Sequence, residues 1–231
     1  MSRSPRVVSL HRYPIKSMLG EEVTHLDVDE RGCVGDRLWT LRTSGDRIAS
    51  GKNSSRFAAL PRVLELRAEK RNGTVVITFP DGSTCTTGAP DASDRLSSYL
   101  EEPVTLAMES DVSHFDDGPI SLIGLASVSA VAQEQGEDVD PARFRANIVL
   151  DTSGPFLEDR WVGRELQVGT AVLSVIMSSP RCVMVDMKTA NLPAQPGNLS
   201  TLGRINRAHL GVIARVLEAG TIRAGDSVEI R

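Results

Sequence analysis

The chain has 231 residues, 26 Lys+Arg against 30 Asp+Glu for a net charge of −4, and 40% hydrophobic residues, a balance that supports a packed core and excludes wholesale disorder. The mild acid excess and 4% aromatic content argue against a nucleic-acid partner, which calls for a basic surplus or base-stacking rings. No apolar run nears the roughly 20 residues of a membrane span, and the opening Met-Ser-Arg-Ser-Pro-Arg lacks a signal-peptide core, so a cytoplasmic protein without a membrane partner is expected.

Taken in chain order, segments 7–10, 23–28 and 37–41 read as strands separated by Gly and charged turns. From 62 to 86 a β-branched run is flanked by Asn72-Gly73 and Asp81-Gly82, the local mark of a three-strand meander. Residues 91–102 predict a helix with apolar Leu96, Tyr99 and Leu100, closed by Pro103. A weak seam falls at 111–118. Residues 125–135 predict a second helix, with Val128, Val131 and Ala132 on one face and Gly136 past its end. Pro141 followed by Arg143-Phe144-Arg145 reads as a short turn into a strand at 148–150, while Arg143-Phe144-Arg145-Ala146-Asn147 taken as extended sets Arg, Arg and Asn on one side; further strands follow at 166–168, 171–177, 182–185, 212–217 and 228–230. Residues 188–197, rich in Pro and Asn, read as an exposed loop. Short strands at this spacing favour a closed or nearly closed β-barrel with helices packed outside.

The three cysteines, Cys33, Cys85 and Cys182, are far apart and form no C-x-x-C pair. A structural zinc site or an iron–sulfur cluster is therefore not expected, and the thiols fit the reduced state. Cys182 follows an apolar strand that ends at Pro180, with Arg181 beside it. A cation there favours the thiolate, the form that attacks carbon or binds a soft metal; a buried apolar cysteine is the plainer reading. Cations stand in loop-like settings at Lys16-Ser17, at Arg37 and at Arg143 to Asn147. Converging, they would make an anion pocket; taken singly, each fits a solvated surface charge. His114 or His209 could pair with Cys182 as a nucleophilic dyad, and the acidic loop 113–119 offers a weak divalent-ion site. No phosphate-loop, dinucleotide or nucleophile-elbow motif is present.

Together these pieces resemble one family. Tyr13-Pro14-Ile15-Lys16-Ser17, Gly35-Asp36-Arg37, Trp39, Pro119-Ile120-Ser121-Leu122-Ile123, Arg143-Phe144-Arg145-Ala146-Asn147, Glu158-Asp159, Trp161 and Pro180-Arg181-Cys182 resemble, in order and spacing, the MOSC proteins. These are proteins like the C-terminal domain of molybdenum cofactor sulfurase, and the nearest branch is the one that includes the mitochondrial amidoxime-reducing component. The resemblance implies a mainly β (α+β) fold, a MOSC-type β-barrel plus a smaller N-terminal α/β subdomain. Residues 1–110 would form the N-terminal barrel segment and subdomain, and residues 111–231 the MOSC domain. It further implies a molybdenum cofactor (molybdopterin) ligated by Cys182, with Lys16, Ser17, Arg37, Arg145, Asn147 and Arg181 holding the pterin and its phosphate. The implied activity is oxygen-atom abstraction from a small N-hydroxylated substrate, with Cys182 in the catalytic centre and electrons from a separate reductase or ferredoxin-like protein. The alternative is a cofactor carrier or sulfur-transfer factor without turnover. Pyridoxal phosphate binding is a looser association of the same family. After Cys182 the run Val183-Met184-Val185-Asp186-Met187-Lys188 departs from the threonine-rich family pattern, which bears on substrate identity.

Overall fold

The computed structural model describes residues 4–231, so the first three residues of the opening segment lie outside the described residues. Its centre is an eight-stranded sheet in the order Val228–Ile230, Glu165–Val168, Ala171–Pro180, His209–Glu218, Ile120–Gly124, Ile148–Asp151, Arg6–Arg12, Glu21–Val23. Neighbours run antiparallel except Ile120–Gly124 beside Ile148–Asp151, which are parallel. The sheet curls shut: Val228 N donates to Pro5 O at 2.8 Å, Val7 N to Asp226 O at 2.9 Å and Gly225 N to Val7 O at 2.8 Å. The barrel interior holds Leu10, Ile120, Leu122, Ile148, Leu150, Leu173, Val212 and Ala214. A three-stranded sheet (Gly220–Arg223, His25–Asp29, Gly32–Cys33) adds Leu26, Val28, Cys33 and Ile222 to the same core.

Residues 39–108, with Ile15 and Met18 from the segment before them, build a second core. A four-stranded sheet (Val104–Met108, Trp39–Thr43, Ile48–Ser50, Phe57–Ala59) and a three-stranded meander (Thr84–Thr86, Thr74–Thr78, Arg67–Arg71) enclose it. Helix α1 (Ala92–Leu100) contributes Leu96 and Leu100. The first meander turn has positive φ at both Asn72 (49°) and Gly73 (84°), as a two-residue hairpin of this hand requires. At the second turn Gly82 is at +84° and Asp81 is not in the left-handed region, because the loop is wider: Phe79 N reaches Ser83 O. Helix α2 (Leu125–Gln135) ends on Gly136 at φ 72° and packs Val128 and Val131 on the outside of the barrel.

Several elements differ from expectation. The strand expected over 23–28 is broken at Thr24, and residues 61–65 form a 3-10 turn that buries Val63 and Leu64. Residues 182–185 are not a strand; Val183–Asp186 is a single 3-10 turn whose Met184 and Val185 face the protein. The Arg143–Asn147 stretch is not extended, since Pro141–Phe144 is a 3-10 turn and Arg145 is left-handed at φ 51°. A third helix, α3 (Asn198–Asn206), follows Gly197 and packs Leu199, Leu202 and Ile205 beside α2. The 188–197 loop is pinned in places, with Thr189 and Gln195 buried and Gln195 Nε2 donating to Asp138 O at 2.8 Å.

Candidate cofactor site

A cavity of about 210 Å³ opens where the two cores meet, and Lys16, Arg37, Lys52, Arg143, Arg145, Arg181 and Cys182 are in its wall. Six cationic side chains face two anionic ones, Asp116 and Asp117, although the chain as a whole is acidic. Three cavity residues hold left-handed backbones without being glycine: Ser17 at φ 71°, Arg37 at 49° and Arg145 at 51°. Such conformations cost roughly 1–3 kcal/mol each and persist where the surroundings over-determine them.

Those surroundings are specific. Lys16 lies in a segment tied to both sheets of the second core, with Lys16 N donating to Trp39 O at 2.8 Å and Leu19 N to Leu66 O at 2.9 Å. Ser17 Oγ donates to Ala49 O at 3.0 Å, which uses its hydroxyl proton. Arg37 pairs with the fully buried Asp36 and donates through Nη2 to Arg145 O at 3.1 Å. Asp36 in turn accepts from Tyr13 N at 2.7 Å. Arg145 Nη1 donates to Met18 O at 2.6 Å, and its Nη2 is buried without a partner. The guanidiniums of Arg37 and Arg145 lie 4.8 and 4.5 Å from the Tyr13 ring centre, a cation–π contact that helps seat two like charges together. Burial pushes the Tyr13 phenol up to about 12, and its hydroxyl donates to Ala146 O at 3.3 Å.

The opposite wall carries the sulfur. The strand Ala171–Pro180 ends two residues before Cys182, whose thiol is half-buried at the cavity. Arg181 is held by backbone carbonyls: Nε and Nη2 donate to Leu210 O and Nη1 to Phe144 O. Pro180, Phe144, Met184, Val185 and Ile213 make this wall apolar. The Ser50-Gly51-Lys52 turn comes against it so closely that a Cβ on Gly51 would meet Met187 Sδ at 2.8 Å and Leu64 Cδ1 at 2.9 Å.

Burial lowers the Arg145 and Arg181 guanidiniums to about 10, so both stay charged at neutral pH. Burial lowers the Lys16 ammonium to about 8 against the upward pull of Asp116. Arg37 moves the other way, because Asp36 and Tyr13 together outweigh its burial. Burial pushes the Asp116 carboxyl up, but Lys16 and Lys52 outweigh it and hold it well below the usual carboxylate range.

Of the residues singled out from the sequence, Lys16, Ser17, Arg37, Arg145, Arg181 and Cys182 meet at this cavity. Asn147 sits behind the wall, 1% exposed. Its Oδ1 accepts from Ser121 N and Oγ, and its Nδ2 donates to His11 O at 3.2 Å, so the amide is spent on joining two barrel strands. No histidine is in the cavity wall; His114 Nδ1 meets Arg37 O and His209 Nδ1 meets Arg207 O. The segment 111–118 is more than a seam, since it brings Asp116 and Asp117 to the cavity. Asp116 was marked only within the acidic loop 113–119, as a weak divalent-ion site, and it instead pairs with two lysines; Lys52 was not singled out. Lys52 after Ser50-Gly51, a cation following a small-residue turn, was the available signal. Among the described residues no three His, Cys, Asp or Glu side chains gather as a metal site, and no helix is long and apolar enough to cross a membrane.

A curled barrel with a lone thiol facing a basic cavity defines a class, and the comparisons with known proteins give the family. The MOSC domain matches residues 109–229 and the MOSC N-terminal beta barrel domain matches residues 4–114. The chain belongs to the MOSC family. It is 25% identical over 245 residues to molybdenum cofactor sulfurase of Danio rerio and 26% identical over 206 residues to that of Caenorhabditis briggsae, covering 82% and 78% of this chain. It spans 29% of the length of each of these two relatives. The crystal structure of the YUAD protein from Bacillus subtilis shares the fold, with TM-score 0.56 at 16% identity over 100% of this chain and 97% of that one.

Proposed function

We propose that the chain binds the molybdenum cofactor and reduces small N-hydroxylated compounds, taking electrons from a separate reductase or ferredoxin-like protein. One observation carries the reading: a half-buried thiol faces a cavity whose other wall holds fixed guanidiniums, one with an unpartnered buried Nη2. That donor set fits the group. An orphaned buried N–H calls for an oxygen acceptor, and a single soft thiolate suits a metal that brings its other ligands with it. Cys182 would ligate the metal, while Lys16, Arg37, Arg145 and Arg181 would hold the anionic pterin end.

When bound, the cofactor supplies two-electron oxygen-atom chemistry. The chain's own residues bind and orient. Backbone carbonyls fix Arg181 beside Cys182 and Tyr13 seats Arg37 and Arg145, so the cations need no rearrangement on binding. Met184, Val185 and Ile213 keep water from the apolar side. In the net reaction an N–OH compound plus two electrons and two protons gives the N–H compound and water.

Molybdenum content and released pterin, measured in wild type and Cys182→Ala, test the binding. The expected result is stoichiometric metal in the first and loss in the second; equal metal in both overturns the role of Cys182. Amidoxime reduction with an artificial donor tests the activity, and a metal-loaded protein that turns over no N-hydroxylated compound overturns it. The curated relatives are named cofactor sulfurases, which favours a second reading, a carrier or sulfur-transfer factor. Cofactor delivery to an apo-acceptor without turnover would select it.

A further inference from the structure

We propose that Asp116 is a built-in competitor at the oxyanion-holding end of the cavity, a carboxylate seated between Lys16 and Lys52 that an incoming phosphate-class group must displace. The natural oxyanion, a phosphate monoester on a pterin, rests on the cofactor reading above; the competition itself does not.

The two ammoniums share one carboxylate. Lys16 Nζ lies 2.7 Å from Asp116 Oδ2 and Lys52 Nζ 3.1 Å from Oδ1. They come from separate segments of the second core and meet over one ring, at 5.6 and 4.5 Å from the Phe57 centre. Two point-charge donors, each with three N–H bonds, facing a two-oxygen acceptor is the geometry that a phosphoryl group also satisfies. Lys16 is 4% exposed, so a single carboxylate leaves much of its hydrogen-bonding capacity unused, whereas a phosphoryl group brings more oxygens and more charge.

Among the described residues the ties that hold Asp116 are those of its side chain. The chain just before it is stapled down: Arg56 donates to the carbonyls of Ser113 and Phe115, and His114 is clamped by Glu109 and the Arg37 carbonyl. Beyond Phe115 the anchoring stops. Among the described residues no main-chain hydrogen bond ties Asp116 or Asp117, and the Asp116 side chain is 33% exposed. Rotating it to solvent therefore breaks two ion pairs and no backbone bond, and an oxyanion between the lysines restores both.

Calorimetric titration of the full chain with inorganic phosphate, and separately with a pterin phosphate monoester, tests this. Asp116→Asn is expected to bind inorganic phosphate about tenfold tighter than wild type, and Lys52→Met about tenfold weaker. Folded Asp116→Asn with equal or weaker phosphate affinity overturns the proposal. A gain for both titrants shows that the phosphoryl group itself is read, and a gain for inorganic phosphate alone assigns the subsite to the free ion. Should Asp116→Asn fail to fold, carboxyl carbon NMR of wild type decides: saturating phosphate is expected to shift the Asp116 resonance, and an unmoved resonance overturns the displacement. Cys182→Ala separates the two readings, since its phosphate response should match wild type even if the protein never holds molybdenum.

Discussion

The two walls of the cavity are made in opposite ways. The wall from Lys16 to Lys52, completed by Arg145, is charged, bent into left-handed backbone at three residues and locked by main-chain carbonyls and the Tyr13 ring. The wall running from Pro180 to Val185, with Ile213, is apolar apart from Arg181 and carries one thiol just past the end of a barrel strand. Buried like charges repel and lose hydration, so the first wall needs an elaborate frame, whereas on the second only Arg181 needs one, supplied by the carbonyls of Leu210 and Phe144. Under the proposed function most of the anion-holding residues fall on the first wall, and the thiol ligand falls on the second with Arg181 beside it.

Four measurements would break or sharpen that contrast. Cys182→Ala should abolish metal retention while leaving the phosphate response of the opposite wall in place; loss of both would mean that the walls are not separable. Arg145→Met removes a charged donor with an unpartnered Nη2 and should weaken anion binding about a hundredfold, since charge-assisted hydrogen bonds contribute about 1.5–3 kcal/mol; calorimetry reads it. Gly51→Ala presses a methyl against Met187 and Leu64 and should cost about 1–3 kcal/mol in denaturant unfolding. Lys16 gives opposite signs for stability and affinity. Its folded value of about 8 lies below the ordinary 10.5, so the folded protein sheds the proton first and stability rises with pH across that interval. Phosphate affinity should fall by up to about tenfold over the same pH range, as the ammonium beside Asp116, Arg37 and Arg145 neutralises. Lys16→Met should remove both trends.

The parts of the fold that follow local rules were readable. Helix α2 announces itself through apolar spacing and Gly136, and the first meander turn through Asn72-Gly73. The strands 166–168 and 228–230 were readable from alternation and flanking turns. Helix α3 was not, because its three apolar residues lie among Asn, Ser, Thr and Gly behind a glycine at φ 114°. The left-handed turn at Arg145 is equally silent, since nothing local marks an arginine for positive φ; it is imposed by Met18 and Arg37 from the other core. That turn is also why Asn147, on paper the neighbour of Arg145, faces the barrel strands instead. The acidic loop around Asp116 was visible, but its role was hidden for a related reason, since the lysines it pairs with lie 100 and 64 positions earlier in the chain. The cation set was recognisable through family resemblance, and its convergence depends on tertiary contacts that spacing does not encode.

The way the barrel closes bears on how the molecule could be divided. Strands Arg6–Arg12 and Glu21–Val23 fall within the N-terminal family region, yet they complete the sheet built by the C-terminal one, pairing Leu10 with Ile148 and Arg6 with Asp151. A fragment severed at 109 would bare the flank of Ile148–Asp151 and lose the seal at Val228, leaving two open edges of the kind that recruit foreign strands. Such a fragment should aggregate, and adding back the missing piece in trans should rescue its solubility.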